Sequence, residues 1–380
     1  SRWARLLPRD AMSFEPIQSI EIQNYGCIRH VELTVGRLHA FIGPNDSGKS
    51  TILRALRTAT QFALGSFDTI DDPETKVSRR IPFDPHQYLG PSDARISLSL
   101  TGGGGYLFGA TIAGRRQSFQ EFARTADNAE HQLTADRSPD HFGPLLHDAA
   151  GGGAVRLRER MSLSTLLRFD PNSLRKEGPQ ILANAPIRFS DETGTGLASV
   201  LQAINSRDVD AFVNVRDQVR KLFPTVATVL VPSVARGRVT LQARLEDGTV
   251  VPASAMSEGL LYFLAFASLR YLEGSRLFLV EEPENGLHPA RIHEVMRILR
   301  EISKEAQVLI ATHSPLVVNE LTGDEVSVVT RTADAGTQVT LLKDVPGYED
   351  AMKIYQPGEF WLNYCDGITE EPLRTGSARK

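Results

Sequence analysis

Residues 43–51 combine glycines, one lysine and hydroxyl side chains in the order Gly-Pro-Asn-Asp-Ser-Gly-Lys-Ser-Thr. The stretch fits the phosphate-loop pattern G-x-x-x-x-G-K-[ST]. Glycines let backbone N–H groups turn towards an anion, and a following helix N-terminus adds partial positive charge. In such a loop the lysine, here Lys49, reaches the β- and γ-phosphates, and the next hydroxyl, here Ser50, ligates Mg²⁺. We therefore predict a nucleotide site formed by Gly43, Pro44, Asn45, Asp46, Ser47, Gly48, Lys49, Ser50 and Thr51.

Two adjacent glutamates, Glu281 and Glu282, follow an apolar run over 276–280 that predicts a short buried strand. In a chain with a phosphate loop, acidic residues at the carboxyl end of a strand suggest a Mg²⁺ ligand and a base that activates water. A solvated turn is the simpler explanation for an isolated glutamate pair. That explanation weakens here because the apolar run directs the pair into the crevice where such sheets bind ligands.

His313 lies just beyond another apolar run, at 307–311, within the sequence Thr-His-Ser-Pro. A single histidine is more often an ordinary surface or core residue. Because its strand is expected to end beside the same crevice, we predict that His313 contacts the γ-phosphate of the nucleotide.

The tripeptide Ser257-Glu258-Gly259 opens a helix, over 260–272, that is apolar nearly all round and is therefore expected to be buried on most sides. A serine hydroxyl and free N–H groups at a helix N-terminus form an anion site. Without the other motifs, an ordinary helix cap would be the better interpretation.

The phosphate loop needs a strand before it and a helix after it, and the sequence pattern predicts both. Apolar residues alternate over 17–23 and 28–35, which predicts an antiparallel pair that leads into a buried strand at 38–42. A helix is predicted from Lys49 to about residue 64, with an apolar face formed by Ile52, Leu53, Leu56 and Ala59.

The pattern after this helix is less regular. Residues 95–100 and 106–112 predict a hairpin around the glycines at 102–105, and residues 115–133 predict a helix. Later in the chain the predicted elements alternate. The order strand, helix, strand over 276–311 predicts a parallel sheet covered by helices. The other predicted elements are helices at 195–204, 209–222 and 288–304, strands at 226–234 and 238–245, and a final hairpin of 326–330 and 338–342.

Residues 155–160 predict a strand with three arginines on one face, Arg156, Arg158 and Arg160. Their alternation fits a contact to a nucleic-acid backbone, since arginines neutralise phosphates. A solvated strand face, on which Glu159 offsets part of the charge, is the favoured interpretation. The contact to nucleic acid stays open as the alternative.

Together the motifs resemble the ATP-binding-cassette (ABC) ATPases and, more narrowly, the RecF/SMC/OLD-like heads of stand-alone AAA-family ATPases. The Walker A motif of that family matches residues 43–50, its signature motif matches 257–259, and its Walker B motif matches 277–282. Glu281 stands where the Walker B motif usually has aspartate.

Longer runs carry the narrower resemblance. The sequence E-E-P-E-N-G-L-H-P at 281–289 and the sequence A-T-H-S-P at 311–315 are typical of the subfamily. Shorter stretches at 22–25 and 358–362 fit it too. The resemblance therefore covers most of 18–365.

The resemblance implies an α/β fold, namely a P-loop ABC-ATPase head. It has an N-terminal antiparallel β subdomain, a mixed or parallel core sheet flanked by helices, and a helical/β insertion. The implied division is a flexible extension at 1–15, one head at 16–366 and a polar tail at 367–380. Within the head, the core lobe is expected at about 16–112 and 275–345, and the insertion and signature-helix lobe at about 113–274.

ATP and Mg²⁺ are the implied ligands. Glu281 and Ser50 would hold Mg²⁺, and Glu282 would activate the attacking water. The signature residues 257–259 of a second subunit would close over the γ-phosphate, and residues 285–288 would contact that subunit. The resemblance therefore implies a homodimer, or a higher homo-oligomer, with ATP between the heads.

Three features of the family are not found in the sequence. Its Q-loop glutamine cannot be placed, and Gln87, Gln117 and Gln120 are only candidates. There are no sustained heptads for a long coiled coil, and little more than a hairpin and a tail follows His313. Neither the coiled coil of SMC relatives nor the Toprim nuclease of OLD relatives is therefore expected.

The predicted function is an ATPase that dimerises around ATP and regulates a separate effector, a nuclease or toxin, in bacterial anti-phage defence or DNA maintenance. One alternative is an ATP-gated DNA-binding clamp or repair protein, in which the arginines of 155–160 would contact DNA. The other is a scaffold that binds ATP and holds a toxin or nuclease inactive.

Composition narrows the cellular setting. The chain has 380 residues and a formal net charge of −4, which argues against a basic field over the whole surface but leaves local contacts to nucleic acid possible. Its two cysteines, Cys27 and Cys365, do not form a disulfide framework. The longest apolar run, 260–269, is too short to span a bilayer. We therefore expect a cytoplasmic protein without membrane association.

Overall fold

The computed structural model describes residues 14–64, 69–71, 78–80, 93–101, 103–113, 116–124, 130–135, 160–234, 237–332 and 334–365. The strands are β1 (Ile17–Tyr25), β2 (Ile28–Thr34), β3 (Leu38–Ile42), β4 (Thr69–Asp71), β5 (Ser78–Arg80), β6 (Asp93–Leu100), β7 (Gly105–Ala113), β8 (Arg116–Arg124), β9 (Glu130–Ala135), β10 (Leu163–Leu167), β11 (Gly178–Pro179), β12 (Val226–Leu230), β13 (Ser233–Val234), β14 (Arg238–Val239), β15 (Gln242–Leu245), β16 (Val250–Pro252), β17 (Ser275–Glu281), β18 (Gln307–Thr312), β19 (Val326–Thr332) and β20 (Gly336–Leu341). The α-helices are α1 (Lys49–Leu64), α2 (Pro171–Leu174), α3 (Leu197–Arg207), α4 (Val209–Leu222), α5 (Glu258–Ser268), α6 (Pro289–Ser303), α7 (Pro315–Val318), α8 (Tyr348–Ala351) and α9 (Pro357–Cys365).

Six strands form an antiparallel sheet in the order β2-β1-β6-β7-β8-β9. The alternation that predicts β1 and β2 places Ile20, Ile22 and Val31 in the core, while the residues between them are more exposed. Strands β6 and β7 pair around the glycines of the predicted hairpin. The predicted pair and the predicted hairpin are therefore confirmed.

Residues 115–133 do not form the predicted helix. They contain β8 and most of β9, which pair antiparallel with each other, and β8 also pairs with β7. Glutamine, glutamate, alanine and arginine give this stretch helix propensity, but the hydrogen-bonded ladder to β7 overrides that local preference. In addition, β10 lies in the second large sheet. The division into a core lobe and an insertion lobe at 113–274 stays a prediction.

A second sheet is mixed, in the order β10-β17-β18-β3-β19-β20. All its neighbouring strands are parallel except β19 and β20, which form the predicted final hairpin. Strands β3 and β18 are buried at every residue, as expected for parallel strands that are covered on both faces. The parallel sheet predicted from residues 276–311 is therefore confirmed.

Side chains of the central strands alternate between two hydrophobic cores. In β17, Leu277 and Leu279 belong to the core shared with α1 and the antiparallel sheet. Phe278 and Val280 belong to the core on the other face, shared with α3 to α7 and α9. Helix α1 thus lies between the two sheets, and the remaining longer helices cover the opposite face of the mixed sheet. The observed α/β architecture is the predicted fold class.

Arg160 is the one member of the predicted arginine face that the structure describes. Its guanidinium pairs with Glu15 and donates to the Gly103 carbonyl oxygen at 2.7 Å, and its side chain is 17% exposed. This arginine therefore connects chain segments. Other predicted features lie outside the described residues, namely Arg156, Arg158, Gln87, most of 1–15 and the tail at 367–380.

In the described part of the chain, no helix combines the length and hydropathy that a bilayer crossing requires.

Candidate nucleotide-binding site

The residues predicted to bind the nucleotide directly follow three adjacent parallel strands, β17, β18 and β3, at one edge of the mixed sheet. The pairing register sets Glu281 opposite Ala311, and Thr312 opposite Ile42. The phosphate loop, the glutamate pair and the segment that begins with His313 therefore leave the sheet side by side. The carboxyl edge of parallel strands is where open α/β sheets bind ligands.

The phosphate loop lies directly against the hairpin of β19 and β20. A Cβ on Gly43 would lie 2.0 Å from the Val329 carbonyl oxygen, and a Cβ on Gly48, where φ is +112°, would lie 2.8 Å from the Thr337 hydroxyl. That hydroxyl donates to the Ser47 carbonyl oxygen at 2.9 Å. The hairpin, which was predicted only as a structural element, therefore supports the loop.

Lys49 begins α1 and is 7% exposed. Its Nζ donates to the carbonyl oxygens of Gly43 and Pro44, both at 2.8 Å. Burial lowers the pKa of Lys49, and the carboxylates of Glu282 and Glu284 partly offset that effect. A bound phosphate would stabilise the charged amine as these carboxylates do, so the Lys49 ammonium is positioned to bind an anion.

A cavity of about 720 Å³ opens beside the phosphate loop. This volume lies within the range of small-molecule sites. Seven of the residues predicted for the site line it: Asn45, Asp46, Gly48, Lys49, Ser50, Thr51 and Glu282. Pro44 and Ser47 line an adjoining cavity of about 390 Å³.

The other seven lining residues were not predicted for the site: Tyr25, Gly26, Cys27, Arg54, Arg168, Ala311 and Arg331. Cys27 belongs to the turn between β1 and β2, and its Sγ lies 3.4 Å from the Thr51 hydroxyl. Arg168 directly follows β10. The three arginines give the cavity lining positive charge, which suits a polyphosphate.

Glu281 is 7% exposed, and one of its carboxylate oxygens, Oε1, has no hydrogen-bond partner among the described residues. Its Oε2 lies 3.7 Å from the Arg168 Nε. A buried carboxylate with an unused oxygen is costly unless it binds a cation. Since nucleotide-bound Mg²⁺ takes one or two carboxylates plus phosphate oxygens, the unused oxygen of Glu281 fits a Mg²⁺ ligand. Ser50, the other predicted ligand, lines the cavity, whereas Glu281 is not among the described residues that line it.

Glu282 lies at the cavity with its backbone in the left-handed region, at a φ of +48°. Its N–H donates to the Ala311 carbonyl oxygen at 2.7 Å. Its Oε2 accepts from the Asn285 amide at 2.7 Å, and its Oε1 lies 3.4 Å from the His313 Nδ1. Two neighbours thus orient a carboxylate that faces the cavity, which suits a base for an attacking water.

Glu284 was not predicted as part of the site. Its Oε1 accepts from the Thr312 hydroxyl at 2.6 Å and from the His313 N–H at 3.4 Å. Burial raises the pKa of this carboxyl. Glu284 therefore ties the loop after β17 to the loop after β18. The third glutamate of the E-E-P-E run is the signal that could have identified it.

The signature residues lie elsewhere. Ser257 caps α5 by accepting from the Leu260 N–H at 3.4 Å, and both Ser257 and Glu258 are exposed. A Cβ on Gly259 would lie 3.6 Å from the Gly286 carbonyl oxygen. None of the three signature residues is among the described residues that line the 720 Å³ cavity. The structure therefore brings together the phosphate loop, the glutamates and His313, and leaves the signature on an open surface.

The Q-loop glutamine is still unassigned. Gln117 and Gln120 lie on β8, in the antiparallel sheet, and Gln87 is outside the described residues. No glutamine is among the described residues that line the cavity. The cavity residue that β10 positions beside Glu281 is Arg168.

The fold and the site define a class: an ABC-type ATPase head of the RecF/SMC/OLD-like kind. More narrowly, a family model described as "AAA domain, putative AbiEii toxin, Type IV TA system" matches residues 38–319. The chain belongs to that AAA-domain family.

A solved structure shares the fold. An SMC head bound to the C-winged-helix domain of ScpA superposes with a TM-score of 0.52 at 17% identity, covering 89% of this chain and 99% of that one. The Pyrococcus furiosus Smc head with an extended coiled coil, bound to the C-terminal domain of ScpA, gives a TM-score of 0.49 at 14% identity, covering 89% and 98%. At these identities the first likeness shows the fold alone.

A curated relative shares a short segment. The OLD nuclease of Thermus scotoductus is 40% identical over 40 residues, which is 10% of this chain and 8% of the nuclease. The match therefore spans a small part of the length of that relative.

Proposed function

We propose that this protein binds ATP with Mg²⁺ and hydrolyses it between two heads. The observation that carries the proposal is the cavity at the strand ends, which a buried lysine and an oriented carboxylate, Glu282, line, while the preceding residue, Glu281, has a buried carboxylate oxygen without a partner among the described residues. The exposed signature on a separate surface supports a site that a second copy completes.

Each group has a role that follows from its position. The Lys49 ammonium binds the phosphates, and the phosphate loop directs backbone N–H groups at them. Mg²⁺, held by Ser50 and Glu281, neutralises charge on the phosphate oxygens. Glu282 takes the proton of the attacking water, while Asn285 and His313 keep its carboxylate in place. Ser257 and Gly259 of the second copy contact the γ-phosphate.

The two-head site predicts a specific behaviour for Ser257→Arg. The variant should bind ATP almost as tightly as the wild type, because Ser257 is not part of the cavity wall. It should lose hydrolysis, since the substitution removes the serine hydroxyl that would contact the γ-phosphate bound by the other head. Calorimetry measures the first property and phosphate release the second. The same substitution at Ser206, exposed on α3, should leave both unchanged.

Mixing two inactive variants distinguishes a site formed by two chains from a site that one chain forms alone. Ser257→Arg and Lys49→Ala should each be inactive alone. In a mixed dimer, the intact phosphate loop of the first variant meets the intact signature of the second. With random exchange of subunits, an equal mixture should recover about a quarter of the wild-type rate. Normal hydrolysis by Ser257→Arg alone would show that one chain forms the whole site.

We also propose that the ATP cycle regulates a partner effector, a nuclease or toxin, in anti-phage defence or DNA maintenance. Support comes from the family description, which names a putative toxin of a type IV toxin–antitoxin system, and from the OLD nuclease segment. Purifying the wild type and Glu282→Gln from the natural host with Mg-ATP tests the idea. A protein that co-purifies with only one of the two ATP states is expected; the same set of proteins with both would contradict regulation by ATP.

A further inference from the structure

Arg168 occupies a fixed place at the edge of the cavity. It follows β10, whose Leu167 pairs with Val280, so it leaves the sheet next to Glu281. The Arg168 N–H donates to the Glu192 carbonyl oxygen at 2.8 Å. The Glu192 carboxylate in turn pairs at 2.6 Å with Arg57 on α1, the helix that begins at the phosphate loop. The backbone of Arg168 is therefore tied to the nucleotide site from two directions.

Its side chain, in contrast, is held weakly. The contact with Glu281 joins Nε to Oε2 at 3.7 Å, which is longer than a hydrogen bond and is not bidentate. The arginine side chain is 64% exposed, whereas that of Glu281 is 6% exposed. Exposed single contacts of this kind contribute little to stability. Fold stability therefore does not explain the position of Arg168.

The charges around the Arg168–Glu281 contact favour a change of partner for Arg168 when a phosphate binds. Lys49 contacts carbonyl oxygens of its own loop, and Arg168 contacts a carboxylate suited to Mg²⁺. Both cations face the cavity that would hold the phosphates. A guanidinium binds phosphate oxygens with two parallel donors, a better geometry than the single contact to Glu281.

We propose that Arg168 binds the terminal phosphate of ATP and leaves Glu281 when it does so. In the nucleotide-free chain the guanidinium neutralises the buried carboxylate. Once the γ-phosphate is present, the guanidinium turns to it and the Glu281 carboxylate is free for Mg²⁺. Arg168 thereby makes the site distinguish ATP from ADP. This inference rests on the proposed function, since it concerns the same nucleotide site.

Nucleotide binding without metal tests the contact directly. In EDTA, Arg168→Ala should bind ATP about tenfold more weakly than the wild type, as expected for one lost hydrogen-bonded charge. Its ADP affinity should change less than about twofold, because ADP lacks the contacted phosphate. Arg168→Lys should recover part of the loss, since a point charge remains. Calorimetry with ATP and ADP measures all of these affinities.

Arg297→Ala is the matched control. It also removes a half-exposed arginine from a single-carboxylate ion pair, with Glu294 on α6, and should leave both affinities unchanged. Equal weakening of ATP and ADP by Arg168→Ala, or no weakening of either, would overturn the inference and leave Arg168 as a partner of Glu281 alone. If the wild type itself binds neither nucleotide, the proposed function fails, which is a different result.

A second measurement addresses the freed carboxylate. The rise in melting temperature caused by ADP should need less Mg²⁺ in Arg168→Ala than in the wild type, because without a γ-phosphate the wild-type guanidinium stays on Glu281 and competes with Mg²⁺. In Glu281→Gln the same Arg168 substitution should not alter the Mg²⁺ requirement, since the competing pair is already gone. The same Mg²⁺ requirement in Arg168→Ala and in the wild type would contradict the exchange of partners.

Discussion

Lys49→Ala should abolish ATP binding and leave the fold intact. Among the described residues the amine donates to the carbonyl oxygens of Gly43 and Pro44, and Lys49 is a member of neither hydrophobic core, so the substitution leaves the residues of both cores unchanged. Charge-assisted bonds to two phosphates are worth enough that affinity should fall more than about a hundredfold. Calorimetry with ATP measures the affinity, and thermal unfolding without nucleotide checks the fold.

Lys353→Ala serves as the control for this change. Lys353 is an exposed lysine in an ion pair with Asp350 at 2.7 Å, far along the chain from the phosphate loop. It should bind ATP like the wild type. Equal ATP affinity in Lys49→Ala and Lys353→Ala would refute the assignment of the phosphate loop.

Glu282→Gln should bind ATP but hydrolyse it roughly 10²–10⁴-fold more slowly, the usual cost of a lost general base. Glutamine has nearly the same volume and still accepts a hydrogen bond from Asn285, but it cannot take a proton from water. Slow hydrolysis should trap two heads around ATP. With Mg-ATP, the variant should therefore elute as a head dimer, or as twice the wild-type assembly, more fully than the wild type does.

Glu281→Gln should behave differently, because its carboxylate is the one with an unused buried oxygen. It should weaken Mg²⁺-dependent binding itself. Glu301→Gln, at an exposed glutamate paired with Lys304, should change neither binding nor hydrolysis. If Glu282→Gln hydrolyses ATP at the wild-type rate, or if Glu282→Gln and Glu281→Gln exchange phenotypes, the roles given to the two carboxylates are reversed or wrong.

Local signals explain why the centre of the fold was predictable. The apolar run of β3, the glycines and lysine after it, and the apolar face of α1 are contiguous in the chain, so each supports the interpretation of the next. The apolar runs of β17 and β18 likewise identify buried parallel strands. Placing the phosphate loop, Glu281 and His313 at one edge then needs only the rule for carboxyl ends of parallel strands.

Contacts between distant parts of the chain explain what was missed. Arg168 reaches the site only because β10 pairs with β17, and the sequence around Arg168 contains no local signal that predicts this pairing. Thr337 supports the phosphate loop from a hairpin near the other end of the chain. Strands β8 and β9 were predicted as helix because local propensity was the only available signal, whereas the sheet that extends through β7 determines their conformation.

The backbone conformation of Glu282 lowers the stability of the fold at a residue to which we assign a catalytic role. A φ of +48° costs a residue with a side chain about 1 kcal/mol or more, a cost that glycine avoids. Selection for thermal resilience alone would therefore replace this glutamate, while selection for turnover retains it. Under the role that we propose for Glu282, a relative that binds ATP without hydrolysing it is expected to tolerate glycine at this position.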